Sequence, residues 1–231
     1  MSTQLWYEQL PSGKSWTGLW SGYTICGRCR GIRKFEGACH VCGDPPFDFT
    51  PRVMLDEKGK EHTFPAVFMG AEGRYEDYVY LGMMEREWNR PAPGGSVSGA
   101  SAISQPSDRA SIVLLFWSYF ETRIERLFRQ ALSHIPKGIS EDLLRRYSAI
   151  GARLNDLYSI AFDSTYKHDL EAVGLGQVWP FLAKVQERRN QFAHGQPQAI
   201  DDMVVQSVVE NLKLEHESWI AVFNKRAAGV P

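Results

Sequence analysis

Four cysteines carry the most specific chemistry in this 231-residue sequence. They form two Cys-x2-Cys pairs separated by nine residues, namely Cys26, Cys29, Cys39 and Cys42. Each pair can present two thiolates from one tight turn, and two such turns complete the tetrahedral shell that structural Zn2+ prefers. A disulfide pair or four unrelated thiols is the alternative, which this spacing disfavours. We therefore predict a short zinc ribbon holding one structural Zn2+, with His40 as an alternative ligand.

The stretch around and after the first cysteine pair is positively charged. Its four cations are opposed by a single acidic residue, Glu36. Such a cluster could follow a phosphate backbone, or it could offset the negative charge that four thiolates place around the metal. The sequence leaves both interpretations open. The cations are Arg28, Arg30, Arg33 and Lys34.

A second candidate site lies near the end of a helix predicted over residues 177–193. Arg189 occupies an inward-facing position on the apolar stripe of this helix. A buried guanidinium needs a partner, and Glu121 of another helix is the candidate. Gly195 is expected to end the helix just after His194. An always-charged donor and a titratable imidazole near one helix end suit phosphate chemistry.

The stretch Arg189-Asn-Gln-Phe-Ala-His-Gly195 resembles the signature of the HEPN superfamily, a group of helical domains that includes many metal-independent endoribonucleases. The resemblance covers residues 107–227 and includes an acidic residue, Glu121, in a long apolar first helix. It implies that Arg189 and His194 are catalytic. It also implies that Asn190 orients or supports them.

The chemistry that this resemblance implies is RNA transesterification. The ribose 2'-OH attacks the adjacent phosphorus and leaves 2',3'-cyclic phosphate and 5'-OH ends, so the protein has only to move protons and stabilise charge. His194 would transfer the proton, and Arg189 would donate to two phosphate oxygens. One pair supplies one proton-transfer group, so the family implies a homodimer that combines two pairs. Arg129 and His134 have the same spacing without the Asn, and we assign them to chance.

Two functions of different classes follow. The first is a metal-independent endoribonuclease acting on RNA, in the manner of the toxin and antiphage defence effectors of the family, with an antitoxin or another defence protein as partner. The alternative is a nonenzymatic module, in which the helical domain is a scaffold and the zinc ribbon binds nucleic acid or protein. If Arg189 is sealed against Glu121, the alternative is favoured.

The composition of the chain divides it into the segments that must position these residues. Gly and Pro together number 22 in residues 1–106 but only 10 in residues 107–231. We predict a zinc-ribbon-containing N-terminal module over residues 1–90, a flexible Gly/Ser/Pro linker over 91–106, and a HEPN-like helical domain over 107–231. The predicted fold class is α, a four-helix bundle with a small N-terminal zinc-ribbon and β module.

Hydrophobic periodicity locates the individual elements. The bundle helices are predicted at residues 107–131, 140–162, 177–193 and 201–225. In the N-terminal module, residues 52–68 read as a hairpin, and residues 75–88 fit either a helix or a strand. The tryptophans before the ribbon are expected to form the core of the small module rather than a base-stacking surface. They are Trp6, Trp16 and Trp20.

Composition and charge limit the remaining classes. The chain is 43% hydrophobic with a net charge of −1, which gives no global signal for nucleic acid. Its longest unbroken apolar run, residues 112–117, is far shorter than the roughly 20 residues that span a bilayer. The first residues lack a basic segment followed by an apolar one, so we expect a cytoplasmic protein with reduced or metal-bound thiols.

Overall fold

A computed structural model describes residues 5–10, 15–46, 52–64, 73–91 and 106–229. Most of these residues are helical, and two short hairpins lie in the N-terminal part. This agrees with the predicted fold class at the level of a helical protein with a small β module. The predicted linker lies outside the described residues except at its two ends, 91 and 106. No helix in the described ranges is long and apolar enough to cross a membrane.

The two hairpins are both antiparallel. Strands β1 (Tyr23–Ile25) and β2 (Ile32–Lys34) frame the first cysteine pair, with Thr24 opposite Arg33. Strands β3 (Arg52–Leu55) and β4 (Glu61–Phe64) form the predicted second hairpin. The Asp56 side chain accepts backbone N–H bonds from Lys58 and Lys60 at 2.9 Å, which closes its turn.

The segment that fitted either a helix or a strand is a helix, α1 (Tyr75–Asn89). Its first turn is fixed by Asp77, whose carboxylate accepts the backbone N–H of Arg74 at 2.7 Å. The same carboxylate pairs with Arg126 of the long helix α2 (Ala110–Ala131). Helix α1 thus packs along α2.

The prediction of one continuous helix over residues 140–162 was wrong. Helix α3 (Lys137–Arg146) ends at Tyr147, and the chain resumes as α4 (Ile150–Ala152), a π-helical turn (Arg153–Leu157) and α5 (Tyr158–Phe162). The Arg153 side chain stabilises the break because it donates to the Tyr147 carbonyl at 2.9 Å. Sequence periodicity missed the break because the apolar residues keep a helical spacing on both sides of it.

A further helix, α6 (Tyr166–Ala172), was not predicted. Thr165 is its N-cap, and the Thr165 hydroxyl accepts the backbone N–H of His168 at 3.1 Å. Its Asp169 is fully buried and accepts hydrogen bonds from Tyr158 and from Arg226 of the C-terminal helix. This short helix therefore anchors the break-containing segment to the end of the chain.

The last two predicted helices are confirmed, as α7 (Val178–Ala193) and α8 (Asp202–Ala227). Asp201 caps α8 by accepting the backbone N–H of Val204 at 2.9 Å. Helices α2 and α8 pack against each other and supply much of the hydrophobic core.

The three N-terminal tryptophans are buried, but in the same core as α2 and α8 rather than in a small core of their own. Trp20 donates its indole N–H to the Tyr119 hydroxyl at 3.2 Å, and Trp6 donates to the Val209 carbonyl at 2.5 Å. Trp16 is 1% exposed. None of the three can act as a stacking platform for bases.

Candidate functional sites

The structure brings the four cysteines together at the edge of the first hairpin. Their sulfur atoms lie within 4.8 Å of one another, with Cys26 and Cys42 at 3.8 Å and Cys29 and Cys39 at 3.8 Å. A tetrahedron with Zn–S bonds of about 2.3 Å has sulfur–sulfur edges of about 3.8 Å. The four thiols are therefore spaced as ligands of one tetrahedral ion. They are free thiols rather than disulfides.

Both cysteine turns have the same backbone design. In the first, the Arg30 amide donates to the Cys26 carbonyl at 3.0 Å, and in the second, the Gly43 amide donates to the Cys39 carbonyl at 2.8 Å. The residue after each pair adopts a left-handed conformation, with φ of 61° at Arg30 and 71° at Gly43. Gly43 takes this conformation without steric cost, whereas Arg30 does not. His40 lies outside the cluster and is hydrogen bonded to Asn224.

The four predicted phosphate-binding cations are not equivalent. Arg28, Arg30 and Lys34 are exposed. Arg33 is 0% exposed, which favours the interpretation that it offsets negative charge inside the ribbon over contact with a phosphate backbone. It donates to Asp44 at 3.3 Å and to the Pro45 carbonyl at 3.1 Å, with a further short bond to the Gly37 carbonyl. Arg33 thus holds the second cysteine turn against the first hairpin.

The ribbon is docked on the C-terminal end of α8. The Asn224 side chain accepts the Ile32 amide at 2.7 Å and donates to the Ile32 carbonyl at 2.8 Å, so it pairs with β2 as a strand would. The Gly229 amide donates to the Cys29 carbonyl at 2.6 Å. A Cβ at Gly31 would lie 3.0 Å from the Asn224 side chain, so glycine allows this close approach without a shift of Asn224.

The second candidate site lies at the C-terminal end of α7. His194 is the C-cap residue of α7, and Gly195 follows it with a φ of 85°. The Gly195 amide bonds to the Phe192 carbonyl and the Gln196 amide to the Gln191 carbonyl, both at 3.1 Å, which is the Schellman arrangement. This motif fixes the end of the helix and leaves His194 exposed.

Arg189 and Asn190 are half-buried, and the Arg189 guanidinium donates to the Asn190 side-chain oxygen at 3.1 Å. Asn190 and His194 are four residues apart and share one face of the helix. The Arg189 guanidinium therefore bonds to the side chain of the residue that lies one turn before His194. All three sequence-predicted residues lie in the last turns of α7 or at its C-terminal cap.

The predicted partner of Arg189 does not bind it. Glu121 instead accepts the indole N–H of Trp117 at 2.7 Å. Within the ranges that the structure describes, Arg189 forms no ion pair. The guanidinium is thus neither fully buried nor neutralised by a carboxylate there. The condition under which the nonenzymatic alternative would gain, a seal between Arg189 and Glu121, is not met.

The buried arginines are elsewhere, and the sequence did not reveal them. Arg123 and Glu215 are both fully buried and form an ion pair, and the guanidinium lies 3.7 Å from the centre of the Tyr119 ring. Burial raises the pKa of Glu215, while the Arg123 charge opposes that change. Arg126 binds both oxygens of Asp77, at 2.8 and 2.9 Å. No short-range pattern links such distant partners.

Buried His216 is neutral in this setting. Burial lowers its pKa well below the usual value, and the nearby Arg123 charge lowers it further. Its Nδ1 lies 3.2 Å from the Tyr119 hydroxyl, and its ring contacts Trp20 edge to face. These contacts assign His216 to the core.

Comparison with known proteins gives no match to a protein family, to a curated protein or to a solved structure. The class of protein is therefore defined by the fold and the sites themselves. It is a helical protein with a docked ribbon whose four cysteines can hold a metal ion, and with an Arg-Asn-x3-His set at one helix end.

Proposed function

We propose that the protein is a metal-independent endoribonuclease whose catalytic residues are Arg189 and His194, supported by Asn190. The observation that carries the proposal is the state of Arg189, whose guanidinium donates to Asn190 near the helix end that carries His194 and has no carboxylate partner among the described residues. A guanidinium kept for structure is normally neutralised, as Arg123 and Arg126 are here. One left unneutralised beside an exposed imidazole suits an anionic substrate.

The division of work follows from the reaction. The nucleophile is the 2'-OH of the substrate, so the protein needs a proton acceptor near that hydroxyl and positive charge near the phosphorus. His194, exposed at the helix end, would accept the proton. The planar fork of Arg189 would donate to two phosphate oxygens as negative charge builds up.

A single copy presents one imidazole, whereas transesterification needs both a base and an acid for the departing 5'-oxygen. We propose that two copies associate with their α7 ends facing each other, so that the second His194 protonates the leaving group. The species in solution should then have twice the 26.2 kDa mass of the chain. Light scattering that finds a monomer throughout the concentration range of activity would contradict this arrangement.

The four cysteines would hold Zn2+ as a structural ion. A shell closed by four thiolates leaves no position for water or substrate, so the metal would stabilise the ribbon and not take part in cleavage. The ribbon in turn contacts the end of α8 through Asn224. Loss of the metal would therefore weaken the helical part as well as the ribbon.

The proposal is tested by cleavage of an end-labelled, mixed-sequence RNA. Arg189→Ala and His194→Ala should each lower the cleavage rate at least a hundredfold and leave the helical circular dichroism unchanged. The chain supplies a matched control in Arg129 and His134, which have the same spacing. Arg129→Ala and His134→Ala should cleave at the wild-type rate. Full activity in either variant of the proposed pair would overturn the proposal.

A second candidate is a nonenzymatic module that binds nucleic acid through the ribbon. It is favoured by the three exposed cations Arg28, Arg30 and Lys34 beside the cysteines. It predicts RNA binding without cleavage, unaffected by His194→Ala and weakened by charge removal at those three residues. The cleavage assay above separates the two candidates.

A further inference from the structure

A cleft of about 220 Å3 lies between the ribbon, the start of α1, helix α2 and the end of α8. Three arginines from three separate segments line it: Arg30 of the first cysteine turn, Arg74 before α1, and Arg126 of α2. The other lining residues are uncharged: Trp20, Ile25, Ile32, Gly73, Gln130 and Phe223. The cleft is therefore cationic with an apolar floor, and none of the described residues that line it is acidic.

Arg126 is the most buried of the three arginines. Arg126 is 8% exposed, and both of its terminal nitrogens donate to the Asp77 carboxylate, at 2.8 and 2.9 Å. Its Nε atom is buried and has no hydrogen-bond partner among the described residues. A buried N–H without a partner costs free energy, so a ligand acceptor that reached it would be favoured.

The positive charges in the cleft are only partly compensated. Asp77 supplies one negative charge behind Arg126 and also accepts the Arg74 backbone amide at 2.7 Å, so its oxygens are already occupied. Partial desolvation lowers the pKa of Arg74, and repulsion from Arg126 lowers it further. Three guanidinium groups and one carboxylate leave the cleft with a net charge of about +2. This charge matches a phosphomonoester dianion better than a singly charged diester.

We propose that this cleft binds a phosphomonoester, with the phosphate held by Arg30, Arg74 and the Arg126 Nε atom. Planar guanidinium forks are suited to phosphate oxygens. The volume is small compared with sites for drug-sized ligands, so the cleft would take the phosphate and only part of the group attached to it. The site is distinct from the α7 end and does not depend on RNA cleavage.

Two sources could supply this chemistry, a free nucleotide and the 5'-phosphorylated end of an RNA. Isothermal titration of the zinc-loaded full chain should therefore use AMP, inorganic phosphate, adenosine and two 2'-O-methyl oligonucleotides, one with a 5'-phosphate and one with a 5'-OH. The methylated backbone keeps the oligonucleotide intact. We expect AMP or the 5'-phosphorylated oligonucleotide to bind, and adenosine and the 5'-OH oligonucleotide to bind at least tenfold more weakly.

Variants locate the binding. Arg30 and Arg74 are exposed and not engaged in ion pairs within the described ranges, so Arg30→Gln and Arg74→Gln should fold normally. Each should weaken binding at least tenfold, whereas Arg145→Gln, at an exposed position of α3, should change it less than twofold. If AMP binds as tightly as the phosphorylated oligonucleotide, the ligand is a nucleotide. If only the oligonucleotide binds, the ligand is an RNA end. Absence of phosphate-dependent binding, or wild-type binding by both Gln variants, overturns the proposal.

Discussion

The contact between Asn224 and β2 predicts that one side chain distant in sequence from the cysteines controls the stability of the ribbon. Asn224→Ala removes the acceptor for the Ile32 amide and the donor to the Ile32 carbonyl, which lie at 2.7 and 2.8 Å. Ile32 is 1% exposed, so water cannot easily replace either bond. With about 1 kcal/mol for each bond, and more where a buried group is left unpaired, the free energy of unfolding should fall by about 2–3 kcal/mol.

For a chain of this length, that loss lowers the melting temperature by roughly 4–12 °C. Calorimetry of the zinc-loaded protein at one fixed zinc concentration measures it. Asn211→Ala is the matched control, since Asn211 is also half-buried on α8 but its side-chain amide donates within the helix, to the Ser207 carbonyl. The control should change stability by about 0.5 kcal/mol or less. Equal losses in the two variants, or no loss in Asn224→Ala, would refute the docking argument.

Three further predictions concern the metal and the buried charges. Elemental analysis should find about one zinc per chain, and RNA cleavage should survive a brief EDTA treatment that leaves the fold intact; two disulfides and no metal would contradict this. Arg123→Met should destabilise by about 3–5 kcal/mol in urea unfolding because it strands the Glu215 charge, and Arg123→Met with Glu215→Met should be less destabilised than the single variant. Burial opposes ionisation of Asp169, but hydrogen bonds from Arg226, Tyr158 and Lys225 outweigh this effect and lower the pKa of Asp169 to about 2. The stability advantage of wild type over Asp169→Asn should therefore shrink by about 2 kcal/mol between pH 5 and pH 2. A stability advantage that does not change with pH would contradict this prediction.

The sequence predicted what local spacing determines. The cysteines are paired by short turns, so their convergence followed from two Cys-x2-Cys motifs. The end of α7 was predicted because Gly195 can adopt the left-handed conformation that the Schellman motif needs. The hairpin over residues 52–64 followed from the alternation of side chains. The helices containing Trp117 and Trp219 followed from helical periodicity.

The sequence could not predict what long-range packing determines. Arg33 looked like a surface cation, and only the pairing of β2 with β1 turns its side chain into the ribbon. The pairing of Arg126 with Asp77 joins residues 49 positions apart, and it ties the first turn of the helix over residues 75–89 to α2. The break after α3 depends on Arg153 reaching back to the Tyr147 carbonyl. Neither contact leaves a periodic signal.

In the proposed reaction the substrate 2'-OH is the nucleophile, with His194 and Arg189 assisting. The product termini report this directly. An RNA oligonucleotide cleaved by the wild-type protein should yield 2',3'-cyclic phosphate and 5'-OH ends in mass spectrometry, and the 2'-O-methyl version of the same sequence should remain intact. Cleavage of the methylated strand, or 3'-OH ends from the unmodified one, would contradict the account.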